Sequence, residues 1–183
     1  MNIFVLDLDP VKCSEYHCDK HLVKMITEHN QILGAAKWYV QGITKRSQIT
    51  KDHTDQFYGF PRTFSDGSPN PYGLGHMHHP CTKWARECWE NYDWLCKLTL
   101  EMCIEYTKRY GRKHAGEEIC KWYYKNKPFL PIYDKMTPFA QAMPDECKNV
   151  DTVTAYRDYY VKYKKEFARW AHSEMPEWFK VAA

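Results

Sequence analysis

The feature that most constrains this chain is the segment 18–36, CDKHLVKMITEHNQILGAA, whose apolar residues repeat at helical spacing. Residues three and four positions apart lie on one side of a helix, so the repeat predicts one buried stripe. Its members are Cys18, Leu22, Met25, Ile26, His29, Ile32 and Leu33. The fold of this chain must therefore provide a core for a long amphipathic helix.

A second, narrow row of polar residues lies beside that stripe. A turn of about 100° per residue brings five polar side chains into line, namely His17, His21, Lys24, Glu28 and Gln31. Two imidazoles, an ammonium, a carboxylate and an amide in one row are typical of an active-site wall. An ordinary solvated helix face has the same spacing, so the row alone leaves both interpretations open.

The remaining chain predicts a mainly α fold with two long helices. The first helix is expected to begin at Pro10 and to reach about residue 39, and the second to run from Pro80 to a cap at Gly111. A shorter helix is expected at 117–124 and a last one at 152–173. With 183 residues and no internal repeat, we expect residues 1–183 to form a single helical domain.

Residues 42–79 are rich in glycine and proline and follow no sustained period, which predicts a long irregular insertion. Two interpretations stay open, a flap over a ligand and a surface insertion without a function. The aromatic and basic residues that would form the flap are Lys45, Arg46, Lys51, Phe57, Tyr58, Phe60 and Arg62.

Composition limits where the chain works and what it binds. The first residues, MNIFVLDLDP, have neither the basic start nor the apolar run of a secretory signal, so we expect a cytoplasmic protein with eight free cysteines. No apolar run reaches membrane-spanning length. A net charge of +3 does not by itself demand a nucleic acid, although a local basic surface is compatible with it.

Two kinds of chemistry were considered for the polar residues. Histidines and cysteines crowd residues 13–21 and 76–81, but no C-x-x-C pair occurs, so we expect no bound metal and no cofactor. A zinc-dependent hydrolase built on His17, His21 and His79 is kept as an alternative. Glu28 could instead stabilise positive charge at a sugar carbon or move protons, with His21 two turns earlier as a helper.

A carboxylate in that role needs a nucleophile. The α-amino group is attractive because α-amines are less basic than lysines and keep a larger neutral fraction near neutral pH. The candidate amine is that of Met1, or that of Asn2 if Met1 is removed. A lysine would first need its basicity lowered by burial.

Several stretches together resemble the pyrimidine-dimer DNA glycosylases of the phage endonuclease V type. The first helix, with Asp19-x-His21-Leu22, Glu28 and Gly34-Ala35, is similar to the catalytic helix of that family. Further similar stretches are Tyr92-Asp93 with Leu95 and Lys108 to Gly111, Met143 to Lys148, and Pro176 to Lys180. The chain is also similar to a group of phage and bacterial proteins that share CDKH and TPFAQAMP.

The resemblance implies a DNA-acting base-excision enzyme, a DNA N-glycosylase and abasic-site lyase on double-stranded DNA with a damaged or modified base. In that family the N-terminal amine attacks the sugar C1′ and the helix glutamate supports attack and β-elimination. Carried over, the catalytic residues are Glu28, His21, Met1 and Asn2, and the DNA-binding residues are Lys24, Gln31, Lys148, Trp178, Phe179 and Lys180.

This chain departs from the family pattern in ways that affect recognition. The arginines that flank the family's glutamate are replaced by Thr27 and Gln31, which removes phosphate anchors. Residues 42–79 have no counterpart there. A non-catalytic nucleic-acid-binding module using Lys148, Trp178 and Lys180 therefore stays an alternative, and the rings of Trp178 and Phe179 could equally dock the C-terminal segment onto the core.

Overall fold

The computed structural model describes residues 1–45, 48, 59–65, 67, 69–70 and 74–182. In these ranges the chain forms seven α-helices, a short 3₁₀ helix and no strand, with one isolated bridge between Thr63 and Pro69. The mainly α fold with two long helices is thereby confirmed. The elements are α1 (Pro10–Tyr16), α2 (Asp19–Val40), α3 (Pro80–Ala85), α4 (Trp89–Tyr110), α5 (Gly116–Lys125), the 3₁₀ helix (Asp145–Cys147), α6 (Thr152–Lys164) and α7 (Glu177–Ala182).

The prediction of one continuous first helix is wrong, because the helix is interrupted between α1 and α2. His17 and Cys18 are extended, with ψ of 130° and 158°. The backbone N–H of Cys18 donates to the Tyr160 hydroxyl at 3.2 Å, and that of Asp19 donates to the Arg169 carbonyl at 2.8 Å. These distant partners replace the helical hydrogen bonds of Cys18 and Asp19. No local sequence pattern predicts them.

The second long helix is likewise divided, into α3 and α4. The Asn91 side chain donates to the Trp84 carbonyl at 2.8 Å at the end of α3, and the Trp89 N–H donates to the Pro131 carbonyl at 2.8 Å at the start of α4. The predicted end at Gly111 is confirmed, since that residue caps α4 with φ of 66°. The last predicted helix, at 152–173, is shorter than expected, because α6 ends at Lys164.

The predicted stripe of α2 forms the centre of the core. All seven of its members are buried, and α2 lies against α3, α4 and α5. The eight cysteines are free, as predicted, and all are buried. None of the helices in the described ranges is long and apolar enough to cross a membrane.

Gly34 allows α2 to approach α5 closely. A Cβ added to it would lie 2.5 Å from the Tyr123 hydroxyl oxygen of α5. Of the proposed flap, Lys45 and Arg62 are exposed, and Phe60 is buried with its ring 4.9 Å from that of Trp122. Arg46, Lys51, Phe57 and Tyr58 lie outside the described residues.

The chain begins as an extended arm that is buried in the core. Ile3, Phe4, Val5 and Leu6 are at most 5 % exposed, and the arm leads to Asp9, whose carboxylate accepts the Val11 N–H and caps α1. Burying this apolar run fixes the start of the chain against the helices, which is what positions the site.

Candidate active site

The carboxylate of Glu28 and the beginning of the chain meet at the middle of α2. Glu28 Oε2 lies 3.6 Å from the α-amino nitrogen of Met1 and accepts the backbone N–H of Asn2 at 3.2 Å. The second oxygen, Oε1, lies 3.1 Å from Lys24 Nζ. The Glu28 side chain is 13 % exposed, so the carboxylate is largely enclosed and yet reachable. An amine and a carboxylate are thus held side by side.

The Asn2 side chain holds the arm in this place. Its Nδ2 donates to the Ala142 carbonyl at 3.0 Å, and its Oδ1 accepts the Ile3 N–H at 2.8 Å. The Tyr156 hydroxyl lies 3.0 Å from the same Oδ1, and the Cys81 Sγ lies 3.6 Å from it. Three distant segments therefore fix residue 2, and with it the amine next to Glu28.

The start of α3 lines the same site. His79 caps this helix by accepting the Cys81 N–H on Nδ1 at 3.2 Å, which assigns the proton of the neutral ring to Nε2. Burial, repulsion by the N-terminal ammonium and repulsion by His76 lower the pKa of His79, while Glu28 opposes the change. A neutral imidazole thus lies within electrostatic reach of both the amine and the carboxylate.

Cys81 is a poor nucleophile in this position. Burial raises the pKa of its thiol to about 11, so the thiolate that would attack a substrate is scarce near neutral pH. The role of the thiol here is its contact with Asn2.

His21, predicted on the same row as Glu28, is buried beneath the arm. Its ring stacks on Phe4 with centroids 4.5 Å apart and packs edge-on against Tyr160 at 5.0 Å. Burial, and then the charges of neighbouring groups, lower the pKa of His21 to about 3, so the ring is neutral at neutral pH. Its Nδ1 has no hydrogen-bond partner among the described residues. The predicted helper role of His21 stays a prediction.

The other predicted DNA-binding residues lie in several places. Lys148 pairs with Asp145 at 2.6 Å and Lys180 pairs with Glu177 at 3.1 Å, each within its own short segment. Gln31 is half-buried one turn after Glu28. These contacts neither support nor contradict a role in DNA binding.

The two C-terminal rings pack towards the core. Phe179 is 2 % exposed, with its ring centroid 4.8 Å from that of Trp170. Trp178 packs at 6.1 Å against both Tyr16 and Tyr160. The placement of Phe179 favours the alternative in which this segment docks onto the core, and a contact of either ring with DNA stays a prediction.

The residues of the zinc alternative are not arranged as a ligand set. His17 is fully buried, and its Nδ1 lies 2.7 Å from the Cys13 carbonyl oxygen. Across the ranges that the structure describes, no three His, Cys, Asp or Glu side chains are grouped to hold a metal ion.

Sequence reasoning missed the residues that frame this site. Tyr156, Ala142 and Cys81 all contact Asn2 but are at least 79 positions from it in the chain. The one available signal was the segment 137–144, TPFAQAMP, which has no helical period although most of it is apolar. Such a segment within a helical protein usually has a structural partner that holds it.

Comparison with known proteins gives one positive result. The model of a family described as pyrimidine dimer DNA glycosylase matches residues 1–118, well over half of the chain. Neither the curated proteins nor the solved structures gave a significant match. The matched range contains the amine, Glu28 and His79, whereas Ala142 and Tyr156 lie beyond it.

Proposed function

Because the chain belongs to the pyrimidine dimer DNA glycosylase family, we propose that it is a DNA N-glycosylase and abasic-site lyase. Its nucleophile is the N-terminal amine and its acid–base group is Glu28. The substrate is double-stranded DNA that carries a damaged or modified base. The nucleotide must leave the base stack to reach the amine, at a cost of a few kcal/mol that a damaged base reduces.

One observation carries this proposal. The α-amino nitrogen of Met1 lies 3.6 Å from Glu28 Oε2, at the end of an arm fixed by Asn2. Holding two reacting groups in contact removes much of the entropy cost of bringing them together. Family membership supports the class of reaction, and this distance supports the assignment of the groups.

The proposed steps use only these two groups and the sugar. The neutral amine attacks C1′, the C1′–N bond breaks, and its electron pair leaves with the base. Glu28 takes the proton of the attacking nitrogen and returns it to O4′ as the sugar ring opens, which gives a Schiff base. Glu28, again a carboxylate, then takes a C2′ proton, and the electron pair of that C–H bond expels the 3′ phosphate by β-elimination. Water hydrolyses the Schiff base and releases the amine.

The test is covalent trapping. The protein is incubated with abasic duplex or with ultraviolet-irradiated duplex in the presence of borohydride, which reduces a Schiff base to a stable adduct. We expect an adduct with at least one of these duplexes, and mass spectrometry of the trapped peptide should find the sugar on the N-terminal residue. An adduct on an internal lysine would overturn the choice of nucleophile.

The matched variants test Glu28. In Glu28→Gln the amide keeps the size but cannot take a proton, and we expect adduct formation and strand cleavage to fall by a factor of about 100 or more. Glu101→Gln, at a half-buried glutamate on α4, should behave as the wild type. If neither duplex gives an adduct and the protein still binds DNA, the non-catalytic binding module is the correct reading.

A further inference from the structure

Three lysine ammoniums surround the buried His21 at the edge of the site. Lys20 and Lys24 stand in one row with Glu28 along α2, since residues four apart lie on the same helix face. Lys20 Nζ lies 4.7 Å from the centroid of Phe167, a ring that packs on His21 at 5.2 Å.

The third ammonium comes from the end of α6. Lys164 Nζ lies 4.6 Å from the Tyr159 ring and 6.0 Å from the ring of Phe4, which stacks on His21. Lys20, Lys24 and Lys164 are here called the lysine triad. Two helices that are distant in sequence, α2 and α6, thus direct their positive charge to one surface next to Glu28.

In the part of the chain that the structure describes, few carboxylates pair with the lysine triad. Among the described residues, neither Lys20 nor Lys164 has a carboxylate within 4 Å, and Lys24 shares Glu28 with the N-terminal amine. The nearby Asp19 carboxylate is paired with Arg109 at 3.0 Å. Three ammoniums and an α-amine therefore face one carboxylate, and the excess is positive.

The pKa of His21 is affected by the same three positive charges. After burial and His17, the charges of Lys164, Lys24 and Lys20 each lower the pKa of this imidazole. The three ammoniums therefore act together on one buried ring, which places their charges in the same neighbourhood.

We propose that the lysine triad binds phosphodiester groups of the DNA strand beside the nucleotide on which the site acts. The row from Lys20 to Glu28 spans about 12 Å, a length over which one strand of B-DNA carries about three phosphates. Lysines act on phosphates as point charges, so they position the strand without reading its sequence. The triad would supply the anchoring that Thr27 and Gln31 cannot. This inference rests on the proposed function in taking DNA as the ligand.

The test measures how DNA affinity depends on salt. The wild-type chain and the variants Lys20→Gln, Lys164→Gln and the pair combined are titrated with plain duplex and with duplex carrying tetrahydrofuran, an abasic analogue that cannot form a Schiff base. Each lost phosphate contact should reduce the slope of log K against log salt by about 1, equally for both duplexes. The combined variant should lose about twice that slope.

Two sets of controls separate charge from structure. Lys20→Arg and Lys164→Arg keep the charge and should keep the wild-type slope, while Lys97→Gln removes a lysine that pairs with Asp93 on α4 and should also leave the slope unchanged. A combined glutamine variant with the wild-type slope would overturn the triad as a phosphate site, even where trapping succeeds. A reduced slope without any trapped adduct would uphold the triad and remove the lyase chemistry.

Discussion

Asn2 is the residue on which most of the geometry of the site depends. Its buried side chain contacts Ala142, Tyr156 and Cys81, and its backbone N–H donates to Glu28. Buried polar groups with full sets of partners fix a unique arrangement, because losing one partner leaves another group unsatisfied. The hydrogen bonds of the Asn2 side chain therefore position the N-terminal amine next to Glu28.

Tyr156→Phe tests this positioning without touching the proposed reacting groups. The change removes a hydroxyl 3.0 Å from Asn2 Oδ1 and 2.7 Å from the Ala140 carbonyl oxygen. We expect about 1 kcal/mol less stability and a rate of adduct formation at least several-fold lower, with unchanged affinity for tetrahydrofuran duplex. Tyr163→Phe, at a half-exposed tyrosine of α6, should leave the rate unchanged. A slower rate with proportionally weaker binding would contradict a positioning role.

Three buried histidines predict sensitivity to acid. Burial lowers the pKa of His17 to about 4 and those of His21 and His29 to about 3. The unfolded chain binds these protons below about pH 6.5 and the folded chain does not. Stability that is complete above pH 6.5 is therefore lost as the pH falls towards 4, by about 2 kcal/mol per histidine between pH 7 and 5.

Urea unfolding of His17→Asn at pH 7 and pH 5 checks that account. The variant has one buried imidazole fewer, so its loss of unfolding free energy between the two pH values should be about 2 kcal/mol smaller than that of the wild type. His172→Asn, at an exposed histidine, should lose as much as the wild type. Equal losses in all three proteins would mean that His17 does not contribute.

At the scale of elements, Arg109 joins α4 to the break between α1 and α2. Its guanidinium donates to Glu105 at 2.7 Å and to Asp19 at 3.0 Å, and to the carbonyls of Glu15 and His17 at 2.9 Å each. The side chain is fully buried. It gives the carbonyls at the C-terminal end of α1 the hydrogen-bond donors that a continuous helix would have supplied. Arg109 therefore stabilises the break between α1 and α2.

Arg109→Met should therefore be costly. Removing the guanidinium takes away the partner of Glu105 Oε1, so that Lys108 alone pairs with this carboxylate, and it removes the donor to the Glu15 and His17 carbonyls. We expect the free energy of unfolding to fall by about 3–5 kcal/mol. Arg112→Met, which removes a bond to the Tyr106 hydroxyl near the surface, should cost no more than about 1 kcal/mol. Urea denaturation compares the two, and similar losses would contradict the role assigned to Arg109.

For the whole molecule, the features that could be predicted from the sequence are those that depend on residues close together in the chain. The buried stripe of α2, the two long helices and the cap at Gly111 all follow from spacing within one helix. The division at Cys18 could not be predicted, because its partner Tyr160 lies 142 residues away. The basicity of α-amines and the family resemblance both suggested the N-terminal amine as the partner of Glu28. The contacts of Asn2 that hold this amine in place appear only in the folded chain.

A segment added before Met1 tests the arrangement of the whole chain. An N-terminal Gly-Ser extension turns the Met1 nitrogen beside Glu28 into an amide and puts the free α-amine at the far end of the extension. We therefore expect the yield of trapped adduct to fall sharply. The same extension placed after residue 183 should leave trapping unchanged, because it adds nothing near Glu28. Undiminished trapping that mass spectrometry places on an internal peptide would assign the chemistry to a lysine.

The backbone nitrogens of residues 1 and 2 approach the same carboxylate oxygen, at 3.6 and 3.2 Å. If a cellular aminopeptidase trims Met1, the nitrogen of Asn2 becomes the new terminal amine without moving from its place, since its side chain is anchored independently. Under the proposed function, either maturation state would then present a terminal nitrogen to the same oxygen, so the chemistry would tolerate either way of processing the first residue.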